Sequence, residues 1–209
     1  MIAVVDYGAG NVRSVLKALT FLGHDAVLTA DPQRIGAADQ VLFPGQGHFG
    51  QAMARLRAEG LDEVLRRVVA DGTPFVGICL GLQLLFEGSE EAPGVAGLGL
   101  LPGRCLRFPD TVKVPQIGWN AVDVPCEGSP MDGAHGEHFY FVHSYHAVAS
   151  DAADVAATAG HGVTFTAAVH RANVFAAQFH PEKSGAAGLE LLRRCLEPQR
   201  WAAGPGAPC

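Results

Sequence analysis

A short apolar run that ends at a cysteine between two glycines constrains the fold of this chain more than any other feature. Residues 74–83 read PFVGICLGLQ, so Cys79 has Gly77 two positions before it and Gly81 two positions after it. Glycines at this spacing let a strand turn sharply into a helix and leave the side chain at the turn exposed. In an open α/β sheet this turn lies at the carboxyl end of a strand, where ligands bind. We therefore predict that Cys79 is a nucleophile, although a free cysteine is more often a packed core residue.

A histidine and a carboxylate that could serve this thiol occur later in the chain. Residues 178–182 read QFHPE. Pro181 disfavours the helical conformation for His180, so we predict that the preceding strand continues into the histidine. In an extended segment His180 and Glu182 project to the same side, where Glu182 would fix the imidazole tautomer while the ring faces Cys79. The predicted catalytic residues are therefore Cys79, His180 and Glu182.

Acyl-transfer chemistry at a thiol also needs donors for the developing oxyanion. The turn geometry places the backbone N–H of Leu80 for this role. A second donor has to come from another loop, and residues 44–47, which read PGQG, are the candidate. The glycines would let the peptide between Gly45 and Gln46 point its N–H inward or flip away. An ordinary strand-to-helix turn would explain these glycines equally well.

Alternating strand and helix patterns over the first half predict an α/β fold of the flavodoxin-like kind. Apolar runs at residues 2–5, 26–28, 40–43 and 74–78 alternate with helical patterns, which favours a mostly parallel sheet with helices on both faces. The second half contains short β-rich runs, which we predict to be antiparallel additions to that sheet; they cover residues 119–124, 138–142, 155–158, 164–169 and 174–179. We predict one domain over residues 1–197 and a flexible tail over residues 198–209.

Composition narrows the class of protein. The formal net charge is −6 and the basic residues do not cluster, so we expect no nucleic-acid partner. No apolar run approaches roughly 18 residues, so we expect no membrane span, and the N-terminus lacks a basic signal region. The five cysteines are odd in number and contain no CxxC pair. This usage favours a reducing cytoplasm over a disulfide framework.

Two patterns raise the question of a cofactor or a metal. Residues 6–11 read DYGAGN and resemble the start of a dinucleotide fingerprint, with Asp31 further along, but Arg13 occupies the third glycine position. Two pairs of histidines lack a carboxylate or a thiol at metal-ligand spacing; they are His143 with His146 and His135 with His138. We therefore expect neither a cofactor nor a metal.

With these residues the chain resembles the class I, triad-type, glutamine amidotransferases. More narrowly, it is similar to the glutaminase subunits of imidazole glycerol phosphate synthase, from residue 2 to about residue 196. Residues 77–83 and 180–182 carry the general likeness. The narrower likeness is carried by four runs; they are residues 6–11 (DYGAGN), 114–120 (VPQIGWN), 139–145 (FYFVHSY) and the KS at 183–184 that extends HPE.

The resemblance implies a reaction and a substrate. Cys79 would attack the side-chain amide of glutamine, and His180 would accept the thiol proton and return a proton to the departing ammonia. The glutamyl thioester would then be hydrolysed to glutamate. Gln83 matches a position beside bound glutamine, the backbone of Ser144 and Tyr145 would hold its amino-acid end, and the peptide between Gly45 and Gln46 matches the oxyanion strand.

The resemblance also implies a partner, a cyclase subunit that is a (β/α)₈ barrel. Four residues match positions that face it, namely Asn11, Trp119, Tyr140 and Lys183. Ammonia is protonated in neutral water and loses its nucleophilicity, so a sealed path between two active sites is expected. We expect a heterodimer whose glutaminase activity depends on ligand bound in the cyclase, with a flip of the peptide between Gly45 and Gln46 as the switch.

Other functions stay open at this point. A glutaminase that serves pyridoxal phosphate or anthranilate synthesis is the nearest alternative, and residues 6–11 and 115–120 argue against it. A stand-alone cysteine hydrolase and a non-catalytic regulatory subunit are more distant alternatives. The chain departs from the family pattern at Gln46, His48 and His146, none of which is a triad residue.

Overall fold

A nine-stranded sheet forms the centre of the molecule. The structure is a computed structural model, and it describes residues 1–10, 12–125 and 127–201. The strands are β1 (Ile2–Val5), β2 (Ala26–Thr29), β3 (Gln40–Gly45), β4 (Phe75–Cys79), β5 (Gly103–Arg107), β6 (Gln116–Ala121), β7 (His138–His143), β8 (Tyr145–Ala149), β9 (Val155–Gly160), β10 (Thr164–Arg171) and β11 (Val174–Ala177). The helices are α1 (Val12–Phe21), α2 (Pro32–Gly36), α3 (Phe49–Ala58), α4 (Leu61–Ala70), α5 (Leu80–Gln83) and α6 (Gly185–Cys195), with 3-10 turns at Ala152–Asp154, Pro181–Lys183 and Pro198–Arg200.

The sheet is parallel on one side and antiparallel on the other. Its order is β2-β1-β3-β4-β11-β10-β8-β5, and β9 pairs with β10. The first five strands in that order run parallel, whereas β10, β8, β5 and β9 join by antiparallel pairing. The predicted α/β fold with an antiparallel addition from the second half is thus confirmed.

Three details of the second half differ from the sequence prediction. The segment predicted as the last antiparallel addition forms β11, which runs parallel to β4 because its hairpin with β10 turns the chain back beside β4. Strands β6 and β7 pair with each other in a separate two-stranded sheet. The sequence prediction also missed β5 and β8. In the first half it missed α2, whose five residues are too few to give a clear helical period.

Alternate residues of the parallel strands enter two separate cores. Val41 and Phe43 of β3 belong to one hydrophobic cluster, and Leu42 between them belongs to the other. Side chains alternate along a strand, so the two clusters lie on opposite faces of the sheet. Helices α3 and α4 cover the first face, and α1 and α6 cover the second. The carboxyl ends of the parallel strands therefore share one edge of a sheet that is packed on both faces.

The described part of the chain extends past residue 197, where we predicted the end of the domain. Pro198–Arg200 form a 3-10 turn, and Trp201 is only 5% exposed. Its ring packs against Phe175 of β11, with a centroid distance of 6.4 Å. The rest of the predicted tail, residues 202–209, lies outside the described residues. No helix in the described part of the chain is long and apolar enough to cross a bilayer.

Candidate active site

Cys79 lies at the turn between β4 and α5, in a backbone conformation that side chains rarely adopt. Its φ is 57° and its ψ is −109°, so the turn holds local strain of the kind that clusters at functional sites. The flanking glycines are needed for close packing. A Cβ atom on Gly81 would overlap the carbonyl oxygen of Phe43, and one on Gly77 would lie 2.9 Å from Cβ of Ala176. Strands β3 and β11 thus hold the turn tightly on both sides.

His180 and Glu182 come together through a turn and not through an extended strand. Strand β11 ends at Ala177, so the prediction that the strand continues through His180 is wrong. His180 itself is extended, and Pro181 begins the 3-10 turn because its fixed φ suits the first position of a helical turn. Nδ1 of His180 lies 2.8 Å from Oε1 of Glu182, and both side chains are buried. With Nδ1–H donating a hydrogen bond to the Glu182 carboxylate, Nε2 is left available to exchange a proton in the cavity.

The surroundings of His180 raise its pKa. Burial lowers this pKa, but hydrogen bonding and charge from Cys79 and Glu182 outweigh burial and raise it to about 9. Nε2 is buried and has no hydrogen-bond partner within the described residues. The imidazole can therefore take a proton from Cys79 and hold it.

A buried glutamine that the sequence analysis did not assign to the site also contacts Cys79. Nε2 of Gln178 lies 3.8 Å from Sγ of Cys79, and its Oε1 accepts a 3.0 Å hydrogen bond from Nε2 of Gln83. Gln83 also donates to the carbonyl of Tyr145 at 2.8 Å. Gln178 is fully buried. The signal for it in the sequence was its place two residues before His180.

A cavity of about 450 Å³ opens over these residues. It brings most of the predicted site residues to one place; its lining includes Gln46, Cys79, Leu80, Gln83, Tyr140, Ser144, Tyr145, His180 and Lys183. Glu91 also lines this cavity and was missed by the sequence analysis. Its Oε2 accepts the N–H of Phe49 at 2.7 Å, which fixes the carboxylate at the wall. The only sequence signal for Glu91 was its place in an acidic pair at residues 90–91. Such pairs are common on solvated loops, so the pair alone does not indicate a binding site.

The predicted oxyanion donors do not both face the cavity in this conformation. The β3–β4 ladder pairs Gly45 with Cys79, and at its other end the N–H of Val41 donates to the carbonyl of Pro74 at 2.9 Å. In a parallel ladder with this alternation the carbonyl of Gly45 faces the N–H of Leu80. A peptide directs its C=O and N–H to opposite sides, so the N–H of Gln46 points away from Leu80. Two inward donors require a rotation of this peptide.

The residues predicted to face a partner lie beside the catalytic turn. Trp119 and Tyr140 pair across β6 and β7 with a centroid distance of 6.3 Å, and Nζ of Lys183 lies 5.9 Å from the centre of the Tyr140 ring. The carbonyl of Tyr140 accepts the N–H of His180 at 2.9 Å. Trp119 is 56% exposed. Asn11, the fourth predicted residue, lies outside the described residues.

The histidines near the cavity belong to an aromatic cluster. His143 and His146 pack against Phe108 and Phe165. Burial lowers the pKa of His143 to about 3, which keeps this ring neutral. Among the described residues, no group of three or more histidine, cysteine, aspartate or glutamate side chains is arranged to hold a metal ion.

Comparison with known proteins identifies the family of this chain. The family model described as glutamine amidotransferase class-I matches residues 3–198. The imidazole glycerol phosphate synthase subunit HisH of Methanothermobacter thermautotrophicus is 52% identical, and the match covers 94% of this chain and 98% of that protein. The HisH subunit of Moorella thermoacetica is 48% identical over 98% of each chain.

The fold also matches solved structures. A crystal structure of a glutamine amidotransferase superposes with a TM-score of 0.76 and 22% identity, covering 95% of this chain and 98% of the other. At that identity the likeness shows the fold. Together with the family model and the close relatives, it establishes that the chain belongs to the class I glutamine amidotransferases and, within them, to the family of HisH subunits of imidazole glycerol phosphate synthase.

Proposed function

We propose that this chain is the glutaminase subunit of imidazole glycerol phosphate synthase, which hydrolyses glutamine and passes ammonia to a cyclase subunit in histidine biosynthesis. One observation carries the proposal. A strained thiol at the end of a parallel strand shares a cavity with an imidazole whose other nitrogen bonds a buried carboxylate. This is the arrangement that nucleophilic amide hydrolysis needs.

The reaction follows from the positions of these groups. The sulfur of Cys79 attacks the side-chain carbonyl carbon of glutamine, and Nε2 of His180 accepts the thiol proton. The tetrahedral intermediate collapses with cleavage of the C–N bond, and His180 gives its proton to the departing ammonia. Water, deprotonated by His180, then attacks the thioester, and glutamate leaves with regeneration of the thiol. Glu182 stabilises the imidazolium in each step.

The far wall of the cavity suits an α-amino acid. Glu91 presents a carboxylate that can bind the α-ammonium group, and charge-assisted hydrogen bonds of this kind are stronger than neutral ones. The backbone of Ser144 and Tyr145 would hold the α-carboxylate. Gln83 lines the cavity beside Cys79, and its bonds to Tyr145 and Gln178 keep it in place.

The oxyanion site would be completed only when the peptide between Gly45 and Gln46 rotates. The rotation would turn the N–H of Gln46 toward the cavity and free the N–H of Leu80 from the Gly45 carbonyl. Two preorganised donors at the developing charge are usually the largest single contribution to such catalysis. A ligand bound in the cyclase that favours the rotated peptide would thereby switch on glutamine hydrolysis.

The surface that would meet the cyclase is the exposed face around Trp119, Tyr140 and Lys183. Exposed aromatic residues are typical of the centre of interfaces. The backbone contacts of Tyr140 and Lys183 with His180 support an exit for ammonia beside the triad. We also propose that the complex is a heterodimer that works in the cytoplasm.

The test is glutamate release from glutamine, measured with the chain alone and with the cyclase subunit plus its nucleotide substrate. We expect weak activity alone and a steep rise with the liganded cyclase. High activity that the cyclase does not change would keep the triad chemistry and contradict the assignment to this synthase. Turnover of the complex with added ammonia serves as the control for an intact cyclase.

A further inference from the structure

Tyr7 is a buried phenol with an unused hydrogen-bonding group beside the oxyanion strand. It is 3% exposed, and its ring packs against Phe43 with a centroid distance of 5.4 Å. Within the described part of the chain its hydroxyl has no hydrogen-bond partner. Burying a hydroxyl without a hydrogen-bond partner costs free energy. A second conformation that supplies an acceptor would therefore be stabilised by this hydroxyl.

The hydroxyl lies against the residue whose peptide has to rotate. Strands β1 and β3 pair Ile2 with Gln40 and Val4 with Leu42, and the same register brings Tyr7 level with Gly45. A Cβ atom added to Gly45 would overlap the hydroxyl oxygen of Tyr7. By register Tyr7 lies on the β1 side of Gly45, and its hydroxyl reaches over Gly45 to the place where a Cβ would lie, a point 2.9 Å from Cβ of Leu80.

The turn that carries Tyr7 is held firmly in this place. The N–H of Gly8 donates to the Asp6 carboxylate at 3.0 Å, and the carbonyl of Gly8 accepts Nη1 of Arg55 at 2.9 Å. The side chain of Gln46 reaches the same turn, since a Cβ atom on Gly10 would lie 3.2 Å from its Oε1. The turn that carries Tyr7 is thus in direct contact with the oxyanion strand.

Rotation of the peptide would give the hydroxyl its partner. In the described conformation the Gly45 carbonyl faces Leu80 on the β4 side, and a half-turn directs it to the opposite side, toward β1. We propose that the Tyr7 hydroxyl donates a hydrogen bond to the Gly45 carbonyl in the rotated conformation and so stabilises the completed oxyanion site. Tyr7 is then a positioning residue that acts through the backbone of Gly45, and this role rests on the proposed function.

The hydroxyl keeps its proton under the conditions in which the enzyme would work. Burial raises the pKa of Tyr7, the charge of Cys79 adds to this effect, and Arg55 opposes it. A protonated phenol is a hydrogen-bond donor, and a backbone carbonyl is an acceptor. The chemistry therefore matches the group that the rotation brings to it.

The test is the variant Tyr7→Phe, which removes the hydroxyl and keeps the ring that packs on Phe43. Glutamine-dependent kcat and KM, ammonia-dependent turnover and the Tm of the isolated chain are measured for wild type and variant, with the cyclase and its nucleotide substrate present in the kinetic assays. We expect the activated kcat to fall about tenfold, the effect of one net hydrogen bond, with KM within about twofold. Ammonia-dependent turnover should be unchanged, and Tm should stay the same or rise, because an unpaired buried hydroxyl has been removed.

Ser129→Ala is the matched control, because it removes a buried hydroxyl that accepts the N–H of Met131 in a loop away from β3. It should lower Tm and leave the activated kcat unchanged. An activated kcat of Tyr7→Phe within twofold of wild type would overturn the proposal. So would a fall in Tm, which would mean that the hydroxyl is already bonded before rotation. A wild-type chain that the cyclase does not activate would instead overturn the proposed function.

Discussion

The two sides of the cavity differ in how firmly their groups are held. On the nucleophile side, Sγ of Cys79 accepts a hydrogen bond from Gln178 and Nδ1 of His180 bonds Glu182, so the thiol and the imidazole are each held by a bond. On the oxyanion side, a carbonyl faces the Leu80 N–H and the Tyr7 hydroxyl has no partner within the described residues. The difference indicates that the chemistry of the thiol is arranged in advance, whereas the stabilisation of the transition state is not.

Packing explains the difference. A side chain on Gly81 would meet the backbone of Phe43, so the catalytic turn has no room to change shape. Gly45 is also closely surrounded, since an added Cβ would overlap the Tyr7 hydroxyl, but as a glycine it leaves that space empty. Gly47, two residues on, has a φ of 102° and open space where a Cβ would lie. Rigid packing can hold a strained nucleophile, and a glycine-bounded peptide can have two orientations.

Removal of the nucleophile should have the largest effect. Cys79→Ala should lower glutamine-dependent turnover of the complex by about 10³-fold or more, because no covalent intermediate can form. Turnover with added ammonia should persist, and a coupled assay with each nitrogen source measures both. Cys195→Ala, which alters a free cysteine buried in α6, is the control and should keep glutamine-dependent turnover. Equal loss from both variants would contradict a special role for Cys79.

A side chain on the oxyanion strand should have the next largest effect. Gly45→Ala places a methyl group against the Tyr7 hydroxyl and within 2.9 Å of Leu80 Cβ, which hinders the rotation. We expect activation by the liganded cyclase to fall about 10²-fold, the range found when one oxyanion donor is lost. Gly36→Ala, at an open position in α2, should leave activation intact. Unaltered activation in Gly45→Ala would show that this peptide is not the switch.

Loss of the carboxylate at the far wall should weaken substrate binding more than chemistry. Glu91→Gln should raise KM for glutamine by about tenfold to a hundredfold, the value of one charge-assisted hydrogen bond, with a smaller change in kcat. The neighbouring Glu90→Gln is the matched control, since that carboxylate accepts the N–H of Arg107. An unchanged KM in Glu91→Gln would exclude an ionic contact with the substrate.

The smallest effect concerns pH and stability. The pKa of His180 is raised to about 9 in the folded chain, above the roughly 6.5 of an unfolded histidine. Its contribution to the free energy of unfolding is therefore complete below about pH 6.5 and is lost as pH rises toward 9. Glu182→Gln should flatten this decline in urea unfolding measured between pH 6 and 9. If the free energy of unfolding of Glu182→Gln declined with pH as steeply as that of the wild type, Glu182 would not stabilise the imidazolium. The control is Glu190→Gln, which alters an exposed ion pair.

Much of this molecule was predictable because the informative patterns are local. Buried apolar runs predicted the parallel strands β1 to β4 but not the parallel direction of β11, and the glycines around Cys79 predicted the turn. Tyr7, Glu91 and Gln178 were not assigned because their roles arise from contacts between segments that are far apart in the sequence. The 3-10 turn after His180 was missed because the prediction used only one effect of Pro181. A proline disfavours the helical conformation for the residue before it, but it also suits the first position of a helical turn.

The most direct test of the contrast between the two sides compares alkylation of Cys79 with glutamine turnover. Iodoacetamide reacts with the thiolate and needs no oxyanion site, whereas glutamine hydrolysis needs both. Both rates are measured for the chain alone and for the complex with liganded cyclase. We predict that turnover rises steeply while the alkylation rate stays the same or falls through shielding by the partner. An alkylation rate that rises in proportion to turnover would contradict the account, since the nucleophile would then be the group that is switched.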